Sequence, residues 1–159
     1  MPTRTPAFHS LLSYQVTSTS DAMRRGAALR LQREHGLSLA QWRVLAMISA
    51  SEPVQLRELA AFSEADKGQV SRIVASLVER QLVQRKAHAK DARSWHLALT
   101  EAGKAVARAA EETSRERDHE FRSCFTPAEA AQFAAMLARL KARALVSEEE
   151  EKDRARRGR

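Results

Sequence analysis

The chain has 159 residues, of which 43% are hydrophobic, 30% charged and 5% aromatic, and it carries a net charge of +7. That length suits a single domain with a real core, and an isoelectric point near 10.3 points to a polyanion rather than an acidic protein as partner. One cysteine, Cys124, excludes an intrachain disulfide framework; no run approaches the roughly 20 apolar residues of a membrane span, and no secretory pattern opens the chain, so a cytoplasmic, membrane-free protein is expected.

Ala, Leu, Arg and Glu dominate, which favours helix over sheet. Residues 1–9, with Pro2 and Pro6, read as a lead-in. From Ser10 to His35 the residues Leu12, Val16, Thr19, Met23, Ala27 and Leu31 recur at helical intervals, with Gly36 as a stop. Ser38 and Gln41 then form a capping box, flanked by Leu37 and Trp42 as a hydrophobic staple, so a second helix runs from Leu39 to about Ser49. Leu56, Leu59, Ala60 and Phe62 give a short third helix. Asp66 caps a fourth, in which Val70, Ile73, Val74, Leu77 and Val78 form an apolar stripe while Lys67, Gly68, Gln69, Ser71 and Arg72 stay on the open side.

Beyond Leu82 the period drops to two: Val83, Arg85 and Ala87, then Trp95, Leu97 and Leu99, read as two strands around a polar tip, Lys90-Asp91-Ala92-Arg93. Thr100 caps a long helix to about Phe121. Thr126-Pro127-Ala128-Glu129 starts a last one, with Phe133, Met136, Leu137 and Leu140 on one face. Residues 147–159, with equal numbers of acidic and basic side chains in the last twelve, read as a flexible charged tail, with prolongation of the last helix through pairs such as Glu148 with Lys152 as the alternative.

Two short helices followed by a hairpin make a winged helix-turn-helix. In the order Leu59-Ala60, Val70-Ser71-Arg72, Leu82-Val83-Gln84-Arg85, Asp91-Ala92-Arg93 and Leu99-Thr100-Glu101-Ala102-Gly103, the chain resembles the MarR family of transcriptional regulators over essentially its whole length. The resemblance implies a mainly α fold: one domain over 1–159, with a winged helix-turn-helix at 38–100 carrying a two-stranded wing, and dimerisation helices at 10–35 and 101–146. It also implies a homodimeric repressor of double-stranded DNA.

Lys67, Gly68, Gln69, Ser71 and Arg72 then stand where a recognition helix meets base edges and phosphates. Lys86, His88, Lys90, Asp91 and Arg93 belong to the wing, where Asp91 would orient Arg93 toward a minor groove. Gln81 departs from the family, which often has Gly there; a left-handed backbone would cost Gln more. Leu11, Leu12, Phe125, Phe133, Met136, Leu137 and Leu140 are the expected dimer contacts. Two-fold symmetry predicts a pseudo-palindromic operator with half-sites about 34 Å apart.

The family commonly releases DNA when a small aromatic acid or phenol enters a cleft beside the reading unit. Tyr14, His35, Trp42 and Arg43 lie in the segments that would line it, with Arg43 able to pair with a carboxylate. A ligand-independent or redox-responsive DNA-binding protein is the alternative, although Cys124 has no second thiol to resolve it. His119 and Cys124 lack companion ligands for a metal, and no nucleophile elbow or phosphate-binding glycine loop is present. No catalytic residue, cofactor or metal is therefore expected.

Overall fold

The computed structural model describes residues 7–62, 67–88 and 91–158. A 3-10 turn, Ala7–Ser10, precedes α1 (Leu12–His35), α2 (Leu39–Ser51), β1 (Val54–Gln55), α3 (Leu56–Phe62), α4 (Lys67–Glu79), β2 (Val83–His88), β3 (Asp91–Leu99), α5 (Glu101–Arg122) and α6 (Pro127–Arg157). The chain divides into two compact units, Met1–Ser114 and Arg115–Arg159.

The first unit is built on the expected stops and starts. Gly36 adopts a left-handed φ of 62°, and the N–H groups of Gly36 and Leu37 take the Gln32 and Leu31 carbonyls at the end of α1. A Cβ at position 36 would meet only Arg80 Nη2 at 3.7 Å, so backbone conformation rather than space favours glycine here. The Ser38 capping box forms: Ser38 Oγ accepts the Gln41 N–H at 3.1 Å, and Gln41 Oε1 accepts the Ser38 N–H at 2.9 Å. Leu37 is buried and Trp42 packs half-buried on the core, as the staple predicts. The proposed cap of α4, Asp66, lies outside the described residues.

The sheet holds three strands in the order β1-β3-β2, all antiparallel, where the sequence reading expected two. β1 is only Val54 and Gln55, paired with Leu97 and His96, and is too short to show a period. This pairing makes β3 the central strand, in which Leu97, Ala98 and Leu99 are all buried. Where β1 runs out, the Glu52 carboxylate accepts the Leu99 N–H at 2.8 Å. The core gathers Leu31, Leu37, Val44, Leu45, Ile48, Val54, Leu59, Val70, Val74, Leu77, Leu82, Val83, Leu97, Leu99, Ala107 and Ala110. It thus draws on α1 to α5 and all three strands.

In the second unit, Thr126 and Glu129 form the predicted capping box with Pro127 in the first turn. Helix α6 continues through Arg157, where the sequence reading gave 147–159 to a flexible tail. The difference has a local cause: Lys152 bonds Glu148 at 2.7 Å and lies 3.6 Å from Glu149, and Arg154 pairs with Glu151, so the segment is laced at i,i+3 and i,i+4 spacing. No residue of α6 is buried, and Phe133, Met136, Leu137, Leu145 and Val146 remain exposed. Among the described residues no helix is long and apolar enough to cross a membrane.

Candidate nucleic-acid interface

Helix α4 turns Val70, Val74 and Leu77 into the core, and this fixes the opposite face outward. Gly68, Gln69, Ser71 and Arg72 are exposed there, in the first two turns of the helix, in agreement with the sequence pattern. A burial stripe of this kind anchors the helix along its length and leaves a polar end projecting.

The other end of α4 is held by an unpredicted polar network. Gln41 uses its carbonyl oxygen for the α2 cap, while its Nε2 donates to Ser76 Oγ on α4 at 2.9 Å. Arg80 Nη1 donates to the Gly36 carbonyl at 3.1 Å and reaches Gln41 Oε1 at 3.4 Å. The start of α2 and the end of α4 are therefore tied by side chains as well as by packing. The capping-box spacing revealed Gln41 in the sequence, but nothing there shows a second partner 35 residues away.

Helix α4 ends in a left-handed residue, as Gln81 has φ 57°. The Gln81 N–H bonds the Val78 carbonyl and the Leu82 N–H bonds the Leu77 carbonyl, both at 2.9 Å, so a Schellman turn forms around a non-glycine residue. Thr100 then stitches this turn to α5. Its N–H donates to the Leu82 carbonyl at 3.1 Å, its hydroxyl donates to the Gln81 carbonyl at 2.7 Å, and the same oxygen accepts the Gly103 N–H at 2.9 Å.

The wing is the β2–β3 hairpin, in register from Val83 opposite Leu99 to Ala87 opposite Trp95. Lys86 is exposed. Lys90 lies outside the described residues, as do the side chains of Lys67, His88, Asp91 and Arg93, so the Asp91–Arg93 pairing stays an expectation.

The effector candidates do not come together within one chain. Tyr14 stacks on His9 at 4.5 Å and meets Phe8 edge-on near the start of α1. His35 ends the same helix, so at 1.5 Å per residue the two are about 30 Å apart, far beyond the reach of one small acid. His35, Trp42 and Arg43 do share the α1–α2 corner. There His35 is already engaged: its Nε2 lies 2.9 Å from Thr113 Oγ1, and that hydroxyl donates to Glu34 at 3.0 Å. With its one proton given to Glu34, Thr113 must accept, which makes Nε2 the protonated ring nitrogen. Trp42 is half-buried on the core, and Arg43 alone of the three is exposed.

Glu34 itself is held by Arg33 at 2.7 Å, with Arg30 and Thr113 each at 3.0 Å, and these partners lower its carboxyl to about 2. A shallow apolar cavity of about 200 Å³ lies elsewhere, lined by Met47, Ala50, Ser51, Val54 and Leu59, with none of the four candidates on its wall. Among the described residues no group of His, Cys, Asp or Glu is arranged to hold a metal.

A short helix, a second helix with a buried stripe and an open polar face, and an antiparallel hairpin define a winged helix-turn-helix. Residues 35–94, which hold both helices, β2 and the start of β3, match the model of the MarR family. The solved structures agree over a longer span. A MarR/EmrR family transcriptional regulator from an Acinetobacter species is 22% identical with a TM-score of 0.72, covering 83% of this chain and 93% of its own. The MepR–DNA complex of Staphylococcus aureus is 20% identical with a TM-score of 0.75, covering 84% and 98%. A MarR family protein of Mycobacterium tuberculosis in complex with salicylic acid is 26% identical with a TM-score of 0.66, covering 82% and 96%. A search of curated protein sequences gave no match. The chain has the winged helix-turn-helix fold, and over residues 35–94 it is similar to the MarR family.

Proposed function

We propose that this protein is a cytoplasmic, homodimeric repressor that reads a pseudo-palindromic operator and is released by a small aromatic carboxylate or phenol. The observation that carries the DNA-reading part is the burial pattern of α4. Val70, Val74 and Leu77 fix the helix, and Gly68, Gln69, Ser71 and Arg72 project from it. With Lys67 they supply the base and phosphate contacts, and Lys86, His88, Lys90, Asp91 and Arg93 supply those of the wing. The DNA complex of MepR, which has this fold, supports the same use of the surface here.

Homodimer formation is supported by the apolar side chains each unit leaves exposed, among them Leu11, Leu12 and Val16 in the first and Phe133, Met136 and Leu137 in the second. On this reading residues 10–35 and 101–146 dimerise and 38–100 read DNA. Sedimentation should give a dimer, and Leu137→Asp should shift it toward monomer.

Fluorescence anisotropy tests the central reading. An inverted repeat from the regulated promoter should bind far more tightly than random duplex, with affinity falling steeply as salt rises. Equal affinity for every duplex would refute sequence reading.

The salicylic acid complex of the mycobacterial protein supports an aromatic acid as effector. Arg43 is the residue we assign to its carboxylate, because it is exposed at the corner where His35 is committed to Thr113. A thermal-shift screen of aromatic carboxylates should yield stabilising compounds that also release DNA. Release that is undiminished in Arg43→Ala would remove Arg43 from this role.

A further inference from the structure

We infer that Trp95 is an additional DNA contact of the wing, laying its indole ring against the sugar-phosphate backbone beside the wing tip. The inference rests on the DNA-binding reading above. Trp95 is 54% exposed, although Leu97, Ala98 and Leu99 in the same strand are buried. About half of this large amphipathic side chain is thus open to a partner.

The register shows where that partner must come from. Trp95 stands opposite Ala87, in the last regular pair before the ladder slips, and the next pair joins His88 to Asp91. The ladder is thus irregular between Ala87 and His88. Trp95 is the first regularly paired residue at the base of that irregular segment.

Its surroundings favour a polyanion over another protein. From Val83 to Leu99 the hairpin carries Arg85, Lys86, Lys90 and Arg93 against one carboxylate, Asp91. The exposed residues described on β2, Gln84, Arg85 and Lys86, are polar or cationic. An aromatic ring set among cations suits deoxyribose and phosphate: the ring covers the sugar and the indole Nε1–H can donate to a phosphate oxygen.

The test uses the full chain labelled with 5-fluorotryptophan, which gives separate 19F signals for Trp42 and Trp95, assigned by Trp95→Phe. Adding random-sequence duplex at low salt should move the Trp95 signal and reduce its solvent isotope shift, while Trp42 stays unchanged. In parallel, Trp95→Ala should weaken binding about tenfold for operator and random duplex alike, with Trp95→Phe intermediate. A silent Trp95 signal on DNA that anisotropy shows to be bound would overturn this inference and leave the DNA-binding reading standing. So would a Trp95 signal that moves with protein concentration alone, which would put a second copy on the ring. If neither duplex binds, both fall together.

Discussion

Gln41 Nε2 and Ser76 Oγ lie 2.9 Å apart, a hydrogen bond that joins the first turn of α2 to the C-terminal half of α4. Because the same Gln41 side chain closes the α2 capping box, one residue sets both where α2 begins and how α4 is seated.

Ser76→Ala removes the α4 end of this bond and leaves the cap intact. It should cost about 1 kcal/mol in urea unfolding. Gln41→Ala loses the cap as well and should cost about 2 kcal/mol. A double-mutant cycle between them should show coupling of about 0.5 kcal/mol or more, and strictly additive losses would mean that the bond does not contribute.

Gly103 faces a harder constraint. A Cβ there would overlap the Leu82 carbonyl oxygen and lie 2.8 Å from its carbon, and backbone atoms in a Schellman turn have no room to yield. Gly103→Ala should therefore cost about 3 kcal/mol, while Ala102→Ser, one residue away on the exposed side of α5, should cost well under 1 kcal/mol. Thermal unfolding of the two variants compares them directly.

Gln81 offers the opposite case, a residue that substitution should improve. Its φ of 57° lies in the region that costs L-residues about 1 kcal/mol or more, and glycine escapes that cost at some loss of chain entropy. Gln81→Gly should raise stability by about 0.5 to 1 kcal/mol, whereas Gln81→Val should lower it, because a β-branched residue tolerates this region poorly. A higher melting temperature for Gln81→Val than for Gln81→Gly would contradict the turn geometry.

Acid should reveal Glu34. Arg33, Arg30 and Thr113 hold its carboxyl at about 2 in the folded chain, against an ordinary value of 4.5. A lowered folded value means that ionised Glu34 contributes stability above about pH 4.5 and loses it as the pH falls toward about 2. Glu34→Gln should therefore be less stable than the parent at pH 7, and the gap should close by about pH 2. A gap that is constant across this range would show that ionisation plays no part.

Local rules made much of this fold legible. The Ser38 and Thr126 capping boxes, the Gly36 stop and the α4 stripe each depend on residues within four positions of one another, and each appears as read. The left-handed turn at Gln81 was legible as a tension, because the family's glycine is absent there. What the sequence hid is what tertiary contact creates. β1 exists only because β3 offers it an edge, and Thr113 becomes a buried bridge only when α5 lies against the end of α1. Tyr14 and His35 lie near opposite ends of one continuous helix, a separation within the chain that grouping them as candidate cleft residues does not express.

The stitch around Thr100 bears on how such a protein can move. The Gln81 and Leu82 carbonyls receive the hydroxyl and the N–H of Thr100, and Gly103 presses against the second of them. The end of α4, the root of the wing and the start of α5 thus meet at two consecutive peptide units with no slack between them. A helix fastened in this way is coupled to its neighbours rather than free to swivel alone. On the proposed DNA-reading role, a signal that loosened α4 from DNA would carry helix, wing root and the base of α5 together, like a key turned by its bow rather than bent at its teeth.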